Sequence, residues 1–288
     1  MKILTFDIEE WFHLLDNNST RSEREWSAFD SRIHANIDRI LKLLDEKNKS
    51  ATFFCLGWIG EKYPEVIKAI DMAGHEIGSH SHLHQLVYQQ SPSEFKEDLR
   101  RSLDSLESIT GKKISLYRSP GFSITKDCLW AFEIMMDMGI ECDCSIFPAP
   151  RSHGGIADFP HVEPFNLLVN GRQLKELPMS IYQIGPLKIP FSGGGYFRFF
   201  PYDLIKFMST RNEYLMTYFH PRDFDKDQPL IPGLSTVKRL KSYYGLKGAL
   251  PKLERLVDEN QFISVRQAIN AINWAEAPVH PLDTLGKP

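Results

Sequence analysis

The stretch 51–84, ATFFCLGWIGEKYPEVIKAIDMAGHEIGSHSHLH, decides the fold. It opens on an apolar and aromatic run, Ala51 to Leu56, that predicts a strand. Apolar residues at helical spacing then predict a helix around Glu61 to Met72, closed before Gly74. His75 to Ser79 predicts a second strand. The unit ends on His80-Ser81-His82-Leu83-His84, which can aim two imidazoles, four residues apart, at one metal ion. Strand, helix and strand in this order form a βα unit, the building block of a parallel sheet covered by helices.

The same rhythm extends in both directions. Upstream, Ile3-Leu4-Thr5-Phe6 reads as a strand, and Ile33, Ile37, Ile40, Leu41 and Leu44 recur at helical spacing, with Ser31 as the expected cap. Downstream, Ser91-Pro92 opens a long helix in which Phe95, Leu99, Leu103, Leu106 and Ile109 face inward and which Gly111 stops. Ile114 to Tyr117 and Ile140 to Ser145 read as strands, with a helix from Thr125 to near Gly139 between them. The number of units favours an α/β fold of the closed or nearly closed barrel type. From Phe147 to about residue 200 the rhythm breaks into an irregular insertion rich in Pro and Gly. It carries a hairpin turn at Asn170-Gly171 and the run Ser192-Gly193-Gly194-Gly195. A helix from Pro201, a strand Tyr214 to Phe219, and C-terminal helices from about 233, around Leu250 to Asn260 and Ser264 to Trp274, resume the pattern. One domain over 1–288 is expected.

The 288 residues have apolar and charged fractions of 42% and 25%, those of a chain that buries a large core. A net charge of -3 gives no global electrostatic reason to expect a nucleic-acid partner. Four cysteines, Cys55, Cys128, Cys142 and Cys144, are too few for a disulfide scaffold and fit a reducing compartment. No signal peptide is visible, and no apolar run reaches the roughly 18 residues of a membrane span. A cytoplasmic location is the expectation. Five cations between Lys238 and Lys252, with no acidic residue among them, form a local basic patch. It reads as a solvated helical face, or as peripheral contact with an anionic lipid surface or a carrier pyrophosphate.

Chemistry concentrates at the strand ends. Asp7, His80, Arg118, Asp143 and His220 each lie at or just beyond the C-terminal end of an expected strand, and in a βα barrel those ends converge on one mouth. Thr5-Phe6-Asp7-Ile8-Glu9-Glu10 ends an apolar run with three carboxylates, and Tyr218-Phe219-His220-Pro221 adds another His. Together they suggest a hydrolytic metal site.

In their order along the chain, Asp7-Ile8-Glu9, His80-Ser81-x-x-His84, Arg118-Ser119-Pro120-Gly121-Phe122, Asp143-x-Ser145 and His220 resemble the successive motifs of NodB-like polysaccharide deacetylases, carbohydrate esterase family four. The resemblance runs from Thr5 to about Asp225. Glu9-Glu10-Trp11-Phe12, Gly193-Gly194-Gly195-Tyr196-Phe197-Arg198 and His220-Pro221 further resemble a subgroup linked with bacterial exopolysaccharide and lipopolysaccharide gene sets. The resemblance implies a distorted (β/α) barrel, a divalent metal with zinc as the default, and hydrolysis of N-acetyl groups from amino sugars. The substrate would be an N-acetylated sugar or oligosaccharide, free or linked to a nucleotide or lipid.

By the same resemblance, Asp7 is the expected base, Arg118 its charge partner, His220 the acid and Asp143 the carboxylate that raises the pKa of His220. His80 and His84 are expected metal ligands. The family motif has adjacent aspartates, the second ligating metal, whereas this chain has Ile8 there. Strand alternation puts Asp7 and Glu9 on one face and Glu10 on the other, so Glu9 is the expected third ligand, with Glu10 as the alternative if a bulge intervenes. Gly121 and Phe122 are expected to donate backbone N–H groups to the oxyanion. Tyr196 and Arg198 are expected to stack on a sugar and contact an anionic group. His13, His75 and His82 read as core or supporting residues, and Cys142 and Cys144 as buried, inert thiols. Two other readings stand beside this one: a deformylase or other amidohydrolase of the same superfamily, and a non-catalytic carbohydrate-binding barrel.

Overall fold

The computed structural model describes residues 1–15, 17–20 and 22–284. Its strands are β1 (Lys2–Ile3), β2 (Thr5–Ile8), β3 (Thr52–Cys55), β4 (Glu76–Ser79), β5 (Leu116–Tyr117), β6 (Cys142–Asp143), β7 (Phe165–Val169), β8 (Arg172–Glu176), β9 (Ile181–Ile184), β10 (Leu187–Pro190), β11 (Leu215–Met216) and β12 (Val279–Pro281). The main sheet runs β12-β7-β8-β6-β5-β4-β3-β2. Its neighbours are parallel except at the β7–β8 hairpin. On the far side of β2 the chain curls back. β1 pairs with β11, Phe6 bridges Phe219, and Tyr218 bridges Gly193. The structure is thus the distorted (β/α) barrel expected, with its irregular seam on the side of the insertion.

The helices are α1 (Glu23–Trp26), α2 (Ile33–Glu46), α3 (Gly57–Lys62), α4 (Pro64–Met72), α5 (Pro92–Thr110), α6 (Trp130–Asp137), α7 (Gly194–Phe199), α8 (Tyr202–Thr210), α9 (Thr236–Tyr243), α10 (Leu246–Asp258) and α11 (Val265–Ala271). Helix α2 buries Ile33, Ile37, Ile40 and Leu44, and α5 buries Phe95, Leu99, Leu103 and Leu106. Both follow the apolar spacing of the sequence. Helix α5 opens on a capping box from Ser91 and Glu94 and ends at left-handed Gly111.

Several elements differ from the expectation. The single helix expected around Glu61 to Met72 is two, because Pro64 lacks an N–H and begins a new helix at its first position. Ser31 does not cap α2. Its hydroxyl joins the Glu10 carboxylate, which accepts from the backbone N–H groups of Arg32 and Ile33 at 3.0 and 3.1 Å. The insertion holds two hairpins, β7–β8 and β9–β10. In the first, Asn170 and Gly171 take φ of 49° and 78°, the left-handed pair of a tight hairpin turn. The glycine run both opens α7, with Gly193 just before its first residue, and makes a close backbone approach, since a Cβ on Gly193 would lie 1.7 Å from the Tyr218 carbonyl oxygen.

Candidate active site

The ends of β2, β4, β5 and β6 and the segment after β11 meet at one mouth, and each delivers a side chain. Ile8 is fully buried in the core, so Asp7 and Glu9 turn together to the opposite side. The turn after β4 is held in an uncommon shape. Ser81 and His84 take φ of 71° and 55°, Ser81 Oγ accepts from His84 N at 3.1 Å, and Asp98 accepts from His82 N and Leu83 N at 2.7 and 3.0 Å. Left-handed backbone at two non-glycine residues costs free energy that these bonds offset.

The result is a convergence of three donors. Glu9, His80 and His84 are all buried, with one ligand atom from each lying within 4.8 Å of the others. His80 Nδ1 lies 2.8 Å from the Arg118 carbonyl oxygen. A carbonyl only accepts, so Nδ1 carries the proton and Nε2 presents its lone pair. Burial pushes the His80 pKa down to about 4, which keeps the ring neutral as a ligand must be. Burial also works against a charge on Glu9, but His84, His220 and His80 around it hold its carboxyl well below the usual range. Glu10 faces away: it is wholly buried at the start of α2. Glu9, not Glu10, is thus the carboxylate that meets His80 and His84 in this structure.

Asp7 sits beside it. Arg118, fully buried, holds Asp7 Oδ1 at 2.7 Å and Thr5 Oγ1 at 2.6 Å, and its guanidinium stacks 4.2 Å above the Phe54 ring. His220 Nε2 lies 3.9 Å from both Asp7 Oδ2 and Glu9 Oε1. Its other nitrogen, Nδ1, is 3.1 Å from Asp223 Oδ2. Burial alone would strip the His220 proton, but the Asp223 bond and the charges of Glu9, Asp223 and Asp7 prevail and raise its pKa to about 9. Asp223 is held down at about 2 against its own burial, by the bond from His220 and the charge of Arg198.

This geometry corrects three expectations. Asp143 does not reach His220: its carboxylate accepts from Ser145 N and Oγ at 3.1 and 2.6 Å and faces buried Glu176. Its place beside the imidazole is taken by Asp223, three residues after His220. The pattern His220-Pro221-Arg222-Asp223 is a side-chain and backbone box of the kind that starts helices, and that spacing was the signal to read. Arg198 is buried, with Nε 3.0 Å from Asp223 Oδ1 and its other nitrogens on the Lys241, Ser242 and Tyr244 carbonyls. Most of its donors are thus engaged inside the protein, and at 5% exposure it is not a rim contact for a substrate. Phe122 N already donates to the Ser119 carbonyl at 3.1 Å, which leaves Gly121 of the expected oxyanion pair.

Tyr196 stays at the rim, 39% exposed. Beside it stands Arg151, which sequence reasoning did not single out. Its guanidinium carbon lies 4.6 to 5.9 Å from the ring centres of Phe147, Tyr196, Tyr218 and Phe122. An arginine so caged has its planar guanidinium held among aromatic rings, with the Tyr218 side chain also within its hydrogen-bonding reach.

Comparison with known proteins bears on the same residues. Residues 17–141 match the family described as Polysaccharide deacetylase, and residues 144–270 match one described as Domain of unknown function (DUF3473). Asp7 and Glu9 precede the first match and His220 lies in the second, so the site draws on residues from outside the deacetylase match as well as within it. The chain is 32% identical over 96 residues to a peptidoglycan-N-acetylglucosamine deacetylase of Bacillus cereus, covering 33% of this chain and 35% of that one. It is 28% identical over 110 residues to a peptidoglycan deacetylase of Helicobacter pylori, covering 38% and 36%. These matches therefore span little more than a third of each relative. A solved Mycobacterium smegmatis structure assigned to the polysaccharide deacetylases aligns over 93% of this chain and 87% of its own, with a TM-score of 0.61 at 21% identity. At that identity it supports the fold.

Proposed function

We propose that this chain, whose residues 17–141 match the polysaccharide deacetylase family, removes the acetyl group from an N-acetylated amino sugar by metal-dependent hydrolysis. The observation that carries this reading is the convergence of Glu9, His80 and His84 beside Asp7 and His220. Two imidazoles and a carboxylate are the donor set of a catalytic zinc site, and the buried Glu9 Oε2 lies 2.6 Å from His84 Nε2 with His80 beside them, so these residues converge closely enough to fit such an ion. Bound there, a divalent ion, with zinc as the first choice, supplies positive charge for the amide oxygen and acidity for a water.

The remaining work falls to the chain. Asp7, oriented through Oδ1 by Arg118, takes the proton of the attacking water on Oδ2. His220 gives a proton from Nε2 to the departing nitrogen as the C–N bond breaks, while Asp223 holds Nδ1 and fixes the ring. Gly121 N–H serves the oxyanion. Tyr196 offers a ring face to a sugar, and Arg151 beside it offers donors to an anionic substituent.

We assign the substrate to a cell-surface polysaccharide or its nucleotide- or lipid-linked precursor. Support comes from the subgroup phrases: Glu10 fixes the start of α2 behind Glu9, and Arg198 braces the Asp223 that serves His220. The cytoplasmic proposal draws on four cysteines that are buried and unpaired. Among the described residues no helix is long and apolar enough to cross a membrane.

Elemental analysis of protein purified without added metal, followed by acetate and formate release from free, nucleotide-linked and lipid-linked N-acylated sugars, tests the reading. Bound metal with acetate release is the expected result. Formate release alone would make the chain a deformylase, sugar binding without product would make it a binding module, and full turnover in metal-free protein would remove the ion from the reaction.

A further inference from the structure

Helix α9 packs none of its residues into the core, and every residue from Ser235 to Lys241 is exposed. Eight residues are too few for a helix to stand alone in water. What holds this one is polar. Ser235 caps its start, the Tyr243 hydroxyl contacts Ile231 N and the Pro229 carbonyl at 2.9 and 2.7 Å, and Arg198 donates to the last carbonyls at 2.8 to 3.0 Å. Its apolar side is left largely uncovered. Val237, Leu240 and Tyr244 recur at the spacing of one helical stripe and are 63%, 62% and 50% exposed. Phe199, at the end of α7, is 62% exposed and packs its ring 5.6 Å from that of Tyr244, which widens the stripe into a patch.

The chain segment that carries the helix is charged with one sign. Lys241 flanks the stripe, Lys238 and Arg239 occupy the rest of the helix surface, and Lys247 follows in α10, all exposed. No carboxylate occurs between Asp227 and Glu254. A short amphipathic helix with aromatic and aliphatic side chains on one side and cations on the other suits the interface of an anionic bilayer: rings and aliphatic groups enter the headgroup boundary, and long cationic side chains reach the phosphates. We propose that α9, with Phe199 and Tyr244, docks this protein on anionic membrane surfaces. Helix α7, about 9 Å long, then separates the docked edge from Gly193 and Gly194 beside Tyr218, at the rim of the active site. Arg198 links the two directly, since one guanidinium meets both the end of α9 and the Asp223 carboxylate that pairs with His220. If the deacetylase reading holds, the site opens within reach of a sugar carried on a lipid.

Vesicle co-sedimentation of the full chain tests the docking without any turnover, so its outcome is separate from that of the deacetylase reading. Binding is expected to vesicles of phosphatidylcholine mixed with phosphatidylglycerol, to be much weaker on phosphatidylcholine alone, and to fall with added salt. Arg239→Gln with Lys241→Gln should weaken it roughly tenfold or more, and Leu240→Asp should abolish it; both lie on exposed positions that tolerate polar residues, and circular dichroism would confirm the fold. Equal binding to both lipids, no binding to either, or binding unaltered by these variants would overturn the proposal. So would a concentration-dependent dimer that Leu240→Asp dissociates, which would place a second copy of the chain on this face.

Discussion

His220 and Asp223 stand three residues apart, and the proton that leaves with the amine depends on that pair. The Asp223 charge favours imidazolium, so Asp223→Asn should lower the His220 pKa from about 9 towards the ordinary imidazole range. The acid form would then be lost at lower pH, and the alkaline limb of the kcat profile should move to the acid side. A limb that stays in place would show that Asp223 only shapes the turn. Truncating the acid itself, His220→Ala, should cost roughly 10²–10⁴-fold in kcat. The metal and base roles separate in another pair of variants. His80→Ala should lose metal and activity together, whereas Asp7→Asn should keep its metal and lose turnover; normal turnover in metal-bearing Asp7→Asn would refute the base. At this scale the sequence was legible wherever local geometry decides. Period-two alternation alone separates Glu9 from Glu10, and a turn of five residues suffices to bring His80 and His84 together. Asp143 misled because position at a strand end says that a side chain reaches the mouth, and not which neighbour it meets there.

Elements show the same division between what spacing encodes and what contact decides. Helices α2 and α5 follow from apolar periodicity, since one buried stripe fixes both their existence and their facing. The strands were harder to bound. Ile114, Ile140 and Tyr214 are buried as an apolar run requires, yet β5, β6 and β11 are two residues each, because burial does not guarantee a ladder partner. The start of α2 could not be read at all, since its cap comes from 22 residues upstream. That cap makes a prediction. Glu10→Ala removes the acceptor of the Arg32 and Ile33 N–H groups in a buried setting, so the protein should lose about 1–3 kcal/mol of stability in denaturant titration. Its metal content should stay at the wild-type level. Loss of the ion instead would return Glu10 to the ligand set and displace Glu9.

The whole barrel sets the last contact, between Asp143 at the end of β6 and Glu176 at the end of β8. These strands are adjacent only because the insertion folds back to pair β8 with β6, so no local pattern announces two carboxylates side by side with no exposed surface. Burial, then the negative charge of Asp143, pushes the Glu176 pKa well above its ordinary 4.5, so the folded protein keeps the Glu176 proton and shares it with Asp143. The sign of the consequence follows. Below pH about 4.5 both folded and unfolded chains hold this proton and the pair costs little. Above it the unfolded chain releases the proton while the folded one retains it, so stability falls as pH rises, by up to about 1.4 kcal/mol per pH unit until the folded pKa is reached. Glu176→Gln supplies the same donor towards Asp143 without a titrating proton, and its carbonyl oxygen can still accept from Ile146 N, which Glu176 Oε1 does at 3.1 Å. Thermal unfolding of the two proteins should therefore give curves that nearly coincide near pH 5 and separate with the variant higher as pH climbs to about 8. Parallel curves across that range would mean that the pair is not protonated in the folded barrel, and that some other group neutralises the two carboxylates where β6 meets β8.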